Sequence, residues 1–198
     1  AREGAGPDVL IAGSMGSTGR LIAPLGDLPD GEAVECFAEQ AAALAEGGAD
    51  LILVETMMSL EEAVAAVRGA RQAVGIPVAC TLSFVMSHRT MFGVGVGDAV
   101  RTLEGVGAAA VGFNCGELTL ESAVALVESF AAVASVPVIA QPNAGLPELV
   151  GGETVFRETP DSMGEYAKRF VAAGAQVVGG CCGSTPEHIR SMVKALRP

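Results

Sequence analysis

The sequence predicts an α/β chain in which βα units repeat around a parallel sheet. Three observations carry that expectation. Short runs rich in Val, Ile and Leu alternate with longer Ala, Leu and Glu segments of helical period. The apolar runs are nearly continuous instead of alternating with polar residues, the pattern of strands covered on both faces. Most of the helical segments close on glycine just before the next run. Six such units suit either an open doubly wound sheet or most of an eightfold barrel, and two more at the front would bring 198 residues to the roughly 250 a barrel needs. The expected architecture is therefore a TIM-type (β/α)8 barrel lacking its first two βα units, in one domain over residues 1–198.

The elements follow in chain order. A first strand is expected over 9–13 and a glycine-rich turn from Gly13 to Gly19, which lacks both the lysine of a triphosphate-binding loop and dinucleotide spacing. Helix 30–46 stops at Gly47-Gly48 and leads into strand 50–55. Helix 60–74 opens on Ser59 with Glu62 three residues later, a capping box, and closes at Gly75 before strand 77–83. Helix 97–107 ends on Gly107 before strand 109–114, and helix 118–134 precedes strand 137–141. The polar segment 146–158 reads as a long loop. Thr159-Pro160 and Thr185-Pro186 each place a cap before a helix-opening proline, giving helices 160–173 and 186–196 on either side of strand 176–180. A barrel without two units exposes two strand edges, so a partner or homo-oligomer completing the barrel, a swapped segment or local closure of the edges is expected.

Composition narrows the function. A net charge of −11 and a pI near 4.5 disfavour nucleic-acid phosphates and anionic membranes, leaving a small-molecule site as the default. No run of about 20 apolar residues and no signal-peptide pattern is visible, so a cytoplasmic protein is expected. The chain begins Ala-Arg-Glu instead of Met, the mark of a fragment or a processed chain. Five cysteines in a reducing compartment read as core thiols, metal ligands or nucleophiles.

In either fold, ligands gather at the carboxyl ends of the strands. The residues there are Ser14 and Met15, Glu55, Ser83, Asn114 with Cys115, Gln141 with Asn143, and Cys181 with Cys182. Three cysteines thus fall on one rim, and three thiolates suit zinc with a fourth position left open, as in a catalytic site. Gly179-Gly180 and Gly183 would let the adjacent pair face one ion. The competing reading makes all of them small buried hydrophobes, which suits Cys36 within a helix and Cys80 within a strand. His88 in a polar loop and His188 on an exposed first turn are read as ordinary surface histidines. Glu55, ending the apolar run Leu51 to Val54, either neutralises a substrate ammonium or caps backbone amides. Asn114 and Asn143 either orient substrate or tie loops together, and Met15, Met57, Met58 and Met91 read as filler near strand ends.

Two separated segments then carry a resemblance. Gly179-Gly180-Cys181-Cys182-Gly183-Ser184-Thr185-Pro186-Glu187-His188-Ile189 closely resembles the zinc signature of the homocysteine S-methyltransferase family, and Val111-Gly112-Phe113-Asn114-Cys115 its first-cysteine motif. Gln141-Pro142-Asn143-Ala144-Gly145-Leu146-Pro147 is similar to the homocysteine module of cobalamin-dependent methionine synthases, and Ala12–Gly16 and Val54-Glu55-Thr56 also fit. The resemblance implies a barrel holding one Zn2+ per chain on Cys115, Cys181 and Cys182. Homocysteine would be the substrate, with Glu55 and Asn114 catalytic and Ser14, Met15, Glu55 and Asn143 lining its place. The product would be methionine, and the methyl donor methylcobalamin on a partner domain, S-methylmethionine, betaine or a related methylated compound. The family's opening strand, with its Gly-Ala-Met-Gly-like segment, has no counterpart before Ala1. Two rivals stand beside this reading: a truncated zinc-binding barrel module without catalysis, and a barrel enzyme with a cysteine nucleophile.

Overall fold

The computed structural model describes residues 2–4 and 6–197. Six parallel strands form one sheet in sequential order: β1 (Ala12–Met15), β2 (Leu51–Met57), β3 (Val78–Leu82), β4 (Ala110–Asn114), β5 (Val138–Gln141) and, after two short strands, β8 (Val177–Val178). The helices between and after them are α1 (Asp30–Glu46), α2 (Leu60–Ala73), α3 (Val96–Gly105), α4 (Leu120–Ala131), α5 (Pro160–Ala173) and α6 (Pro186–Leu196). Parallel neighbours need a crossover, and each crossover here is a helix, which makes the chain a run of βα units. Among the described residues nothing pairs β1 with β8, so these two strands are the sheet's edges.

One face of the sheet carries the core. Met15, Ile52, Val54, Cys80, Leu82, Val111 and Phe113 are buried there with residues of the helices, among them Phe37, Phe130 and Phe170. The other face follows from register: Ser14 pairs with Leu53, Leu53 with Ala79, Ala79 with Ala110, Thr81 with Gly112, and Asn114 with Gln141. It mixes small and polar residues with Leu51, Leu53, Ile139 and Val177 and is partly open. Ser14 is exposed, Leu51 and Leu53 are half-buried and Val177 is 46% exposed.

The segment expected to be a long loop contains an antiparallel hairpin, β6 (Glu148–Val150) and β7 (Glu153–Val155). Gly151 and Gly152 form its turn with φ of 61° and 90°, a conformation that two-residue hairpin turns require. The capping box on α2 is only half made. Ser59 Oγ accepts from the Glu62 amide, but the Glu62 carboxylate turns away to Ser17 and Thr18. The first strand starts later than expected, because Val9 and Leu10 lie exposed ahead of it.

Candidate metal centre

Cys115 follows the last residue of β4, and its amide donates to the Gln141 carbonyl (3.1 Å), the neighbouring strand's end. There the backbone turns sharply. Cys115 and Gly116 both have positive φ, 58° and 81°, and a Cβ on Gly116 would lie 2.2 Å from the Phe84 carbonyl oxygen. Only glycine fits that second position. Cys181 and Cys182 follow β8 and are fixed by backbone bonds: Cys181 N–H to Pro142 O (2.8 Å), Ala144 N–H to Cys182 O (2.9 Å) and Ser184 N–H to Cys181 O (3.1 Å). Gly183, with φ 78°, closes the turn so tightly against Phe156 that a Cβ there would meet the ring at 2.3 Å.

These turns overcome the divergence of adjacent strand residues. The three Sγ atoms lie within 4.8 Å of one another, and Cys115 Sγ is 3.6 Å from Cys182 Sγ. Two sulfurs each about 2.3 Å from a tetrahedral ion stand roughly 3.8 Å apart, so the thiols already sit near the spacing zinc requires. The soft donor set fits the same metal. Hydrogen bonding splits the thiols' acidity. Cys115 accepts from Cys181 and is held down at about 7, against the burial that opposes ionisation. Cys181 is pushed up, first by that donation and then by burial.

Asn114 and Asn143 brace the thiols. Asn114 is fully buried. Its Oδ1 accepts from the Thr56 amide (2.7 Å) and from Thr81 Oγ1 (2.7 Å), and its Nδ2 donates to Thr56 Oγ1 (2.6 Å) and faces Cys181 Sγ at 3.6 Å. Asn143 accepts from the Cys182 amide (3.1 Å) and donates to the Gly116 carbonyl (3.1 Å), linking the two cysteine turns. Beside the sulfurs opens a cleft of about 330 Å³ lined by Cys115, Cys182, Asn143, Thr56, Ser83 and apolar walls that include Met58, Met91 and Phe156.

The other residues expected at the site divide. Ser14 Oγ donates to Glu55 Oε1 across the β1–β2 boundary, and Glu55 makes no cap to backbone amides among the bonds of the described residues. Met15 is not brought to the rim: the strand alternation turns it into the core, fully buried. Cys80 is buried and its thiol pushed up by that burial, whereas Cys36, expected to be buried, lies exposed on α1. His188, expected on the surface, is buried at 7% exposure. Its Nδ1 meets Thr185 Oγ1 (2.9 Å) and its Nε2 the Glu158 carbonyl oxygen (2.9 Å), so it locks the start of α6 to the hairpin's exit. His88 meets Ser122 Oγ at 2.9 Å, away from the thiols. Met58 and Met91, read as filler, are walls of the cleft. Thr81 and Phe156 went unnoticed in the sequence, and Thr56 was noted only as part of Val54-Glu55-Thr56; Phe156 follows the hairpin, whose Gly-Gly turn was the available signal.

The parallel six-stranded βα sheet and the three thiols gathered at its strand carboxyl ends define an α/β protein, consistent with part of a TIM-type barrel, whose rim offers a cysteine cluster that could hold a metal ion. The Homocysteine S-methyltransferase family matches residues 1–196, and the chain belongs to that family. It is 34% identical over 192 residues to a methionine synthase from Mycobacterium leprae, a match covering 94% of this chain and 16% of that one. The homocysteine methyltransferase MmuM of Escherichia coli is similar in structure. Its apo form gives a TM-score of 0.73 at 25% identity, covering 94% of this chain and 63% of that one, and its metallated form gives 0.70 at 26%, covering 93% and 60%. The chain thus spans about a sixth of the length of the curated relatives it matches.

Proposed function

We propose that this chain is the homocysteine-binding part of a thiol methyltransferase, with one zinc ion held by Cys115, Cys181 and Cys182. The observation that carries the proposal is the convergence of three sulfurs within 4.8 Å at the strand ends, in a chain whose family match runs over residues 1–196. When bound, zinc supplies a soft Lewis acid that keeps a coordinated thiol deprotonated at neutral pH, and three protein ligands leave one position for it.

The chain's own residues do the rest. Asn114 and Asn143 hold the cysteine turns so that the donor set is preformed, which spares the ordering cost on binding. Met58, Met91 and Phe156 give the cleft apolar walls beside the sulfurs, so a substrate seated against them would keep its sulfur partly desolvated and reactive. Glu55, oriented by Ser14, receives the substrate's ammonium group. The substrate sulfur then attacks the donor's methyl carbon: a carbon–sulfur bond forms, the methyl–donor bond breaks with its electron pair leaving on the donor, and the thiol proton goes to solvent. The products are methionine and demethylated donor.

Methylcobalamin on a partner domain is the donor this proposal favours. The support is the Gln141–Leu146 segment and the identity to methionine synthases far longer than this chain. The two open sheet edges, β1 and β8, are read as the place where two further βα units would close an eightfold barrel. The test is methionine formation from homocysteine and methylcobalamin by zinc-loaded protein. Loss of product in Cys115→Ser, with retention in Cys36→Ala, supports the proposal; product formation that survives removal of zinc would refute it.

A further inference from the structure

Glu62 stands out among the acidic residues because it is buried to 3% exposure without a cationic partner among the ion pairs of the described residues. A buried carboxylate is costly unless its lone pairs are met by donors. All of its side-chain bonds come from one place. Oε2 accepts from Ser17 Oγ (2.8 Å), and Oε1 accepts from both the Thr18 amide (2.7 Å) and Thr18 Oγ1 (2.7 Å). Ser17 and Thr18 belong to the glycine-rich turn after β1, some 44 residues earlier in the chain. Arg20, two residues on, is committed to Asp27 and Glu32 and does not compete.

Glu62 is also in the wrong posture for a helix cap. It is the third residue of α2, where a capping-box carboxylate would reach back to the Ser59 amide. The Ser59 hydroxyl donates to Glu61 (2.8 Å), and the Glu62 carboxylate goes to the turn. Its place in the first helical turn favours a negative charge there. Ser14, whose hydroxyl donates to Glu55, lies in the edge strand β1 that leads directly into this turn. Ser17 and Glu62 line a small cleft that shares Met58 and Met91 with the cleft beside Cys115 and Cys182.

We propose that Glu62 is a positioning residue for the substrate pocket: its buried carboxylate clamps the Ser17–Thr18 turn and so keeps Ser14 against Glu55. The inference rests on the reading of Glu55 as the ammonium contact, and the test separates the two. Charge-assisted bonds of this kind are among the stronger ones, so Glu62→Gln, which turns one acceptor into a donor facing Thr18 or Ser17, loosens the clamp without removing volume.

The experiment is calorimetric titration of L-homocysteine into zinc-loaded protein, with zinc content measured on the same samples, for Glu62→Gln, Glu55→Gln and the double variant. Glu62→Gln is expected to keep its zinc and bind homocysteine about tenfold more weakly, the loss of one strong hydrogen bond. In the Glu55→Gln background it is expected to add less than about twofold, because a residue acting only through Glu55 has nothing left to position. A merely structural role would instead give additive losses in the double variant, and that result overturns the proposal. Unchanged homocysteine affinity in Glu62→Gln, with Glu55→Gln weakened, overturns it as well while leaving the Glu55 reading intact; unchanged affinity in both removes Glu55 first and the clamp with it. Should Glu62→Gln fail to fold, Ser17→Ala reads the clamp from the exposed side, with an expected loss of about threefold and no loss as the contrary result.

Discussion

Asn114→Ala should be among the most damaging single substitutions in this chain, because one amide completes three separate pieces of the rim. Its Oδ1 is the acceptor for the Thr56 amide and the Thr81 hydroxyl. Thr81 is itself fully buried, and Thr56 is a β-branched residue at φ 59°, a conformation that costs about 1–2 kcal/mol and must be held by its surroundings. Removing the amide strands two donors, each worth about 1–3 kcal/mol when buried and unpaired, so the expected loss is about 4 kcal/mol. It also removes the Nδ2 contact to Cys181 Sγ (3.6 Å), and loss of an outer-shell partner weakens metal binding by about tenfold or more. The stability loss is to be read by urea denaturation of metal-free protein, where zinc linkage cannot mask it. The metal effect is read by competition with a chromogenic zinc chelator. A stability loss below about 1 kcal/mol would refute the account of the rim, since the fully buried Thr81 hydroxyl alone should not lose its acceptor so cheaply.

Other predictions follow from the same geometry. Cys115→Ser, Cys181→Ser and Cys182→Ser should each release zinc, measured by elemental analysis, whereas Cys36→Ala and Cys80→Ala should keep it; equal loss in all five would dismiss the assignment. In metal-free protein Cys115 should be alkylated by iodoacetamide with a rate that rises with pH through a midpoint near about 7, because the thiolate is the nucleophile. Cys181→Ala removes the hydrogen bond that holds Cys115 down, so that midpoint should move upward; peptide mapping distinguishes Cys115 from the exposed Cys36. Glu55→Gln should weaken homocysteine binding in calorimetry and leave zinc in place. Gly116→Ala places a Cβ 2.2 Å from the Phe84 carbonyl oxygen at φ 81°, and should cost about 2 kcal/mol or more in the same denaturation experiment.

Much of the scaffold was legible because local chemistry and tertiary packing agree. Helices α1, α5 and α6 begin and end where the sequence predicts, two of them on a Thr-Pro start. Strands were harder at their ends. β8 keeps only Val177–Val178 of the expected 176–180, since an edge strand has one neighbour to pair with, although the Gln176 and Gly179 amides still reach the Val138 and Ala140 carbonyl oxygens of β5 (3.0 Å each). The hairpin was missed although Leu149-Val150-Gly151-Gly152-Glu153-Thr154 carries a Gly-Gly turn between strand-forming residues. The position of each cysteine at a strand end could be read from periodicity. The 3.6 Å approach of Cys115 to Cys182 depends on residues 67 apart and on positive-φ turns that no local pattern specifies. For the same reason Met15 is turned into the core and Cys36 out of it: both depend on which face a strand or helix presents. Glu62 looked like a helix cap in sequence, and only the fold reveals that its partners are Ser17 and Thr18.

The most direct test of the central claim is zinc-edge absorption spectroscopy on the purified protein, with metal stoichiometry measured alongside, before and after addition of L-homocysteine. The account predicts about one zinc per chain bound by three sulfurs at about 2.3 Å, and a fourth sulfur at that distance once homocysteine is present. Protein that binds no zinc, or zinc whose sulfur count is unchanged by saturating homocysteine, would contradict it.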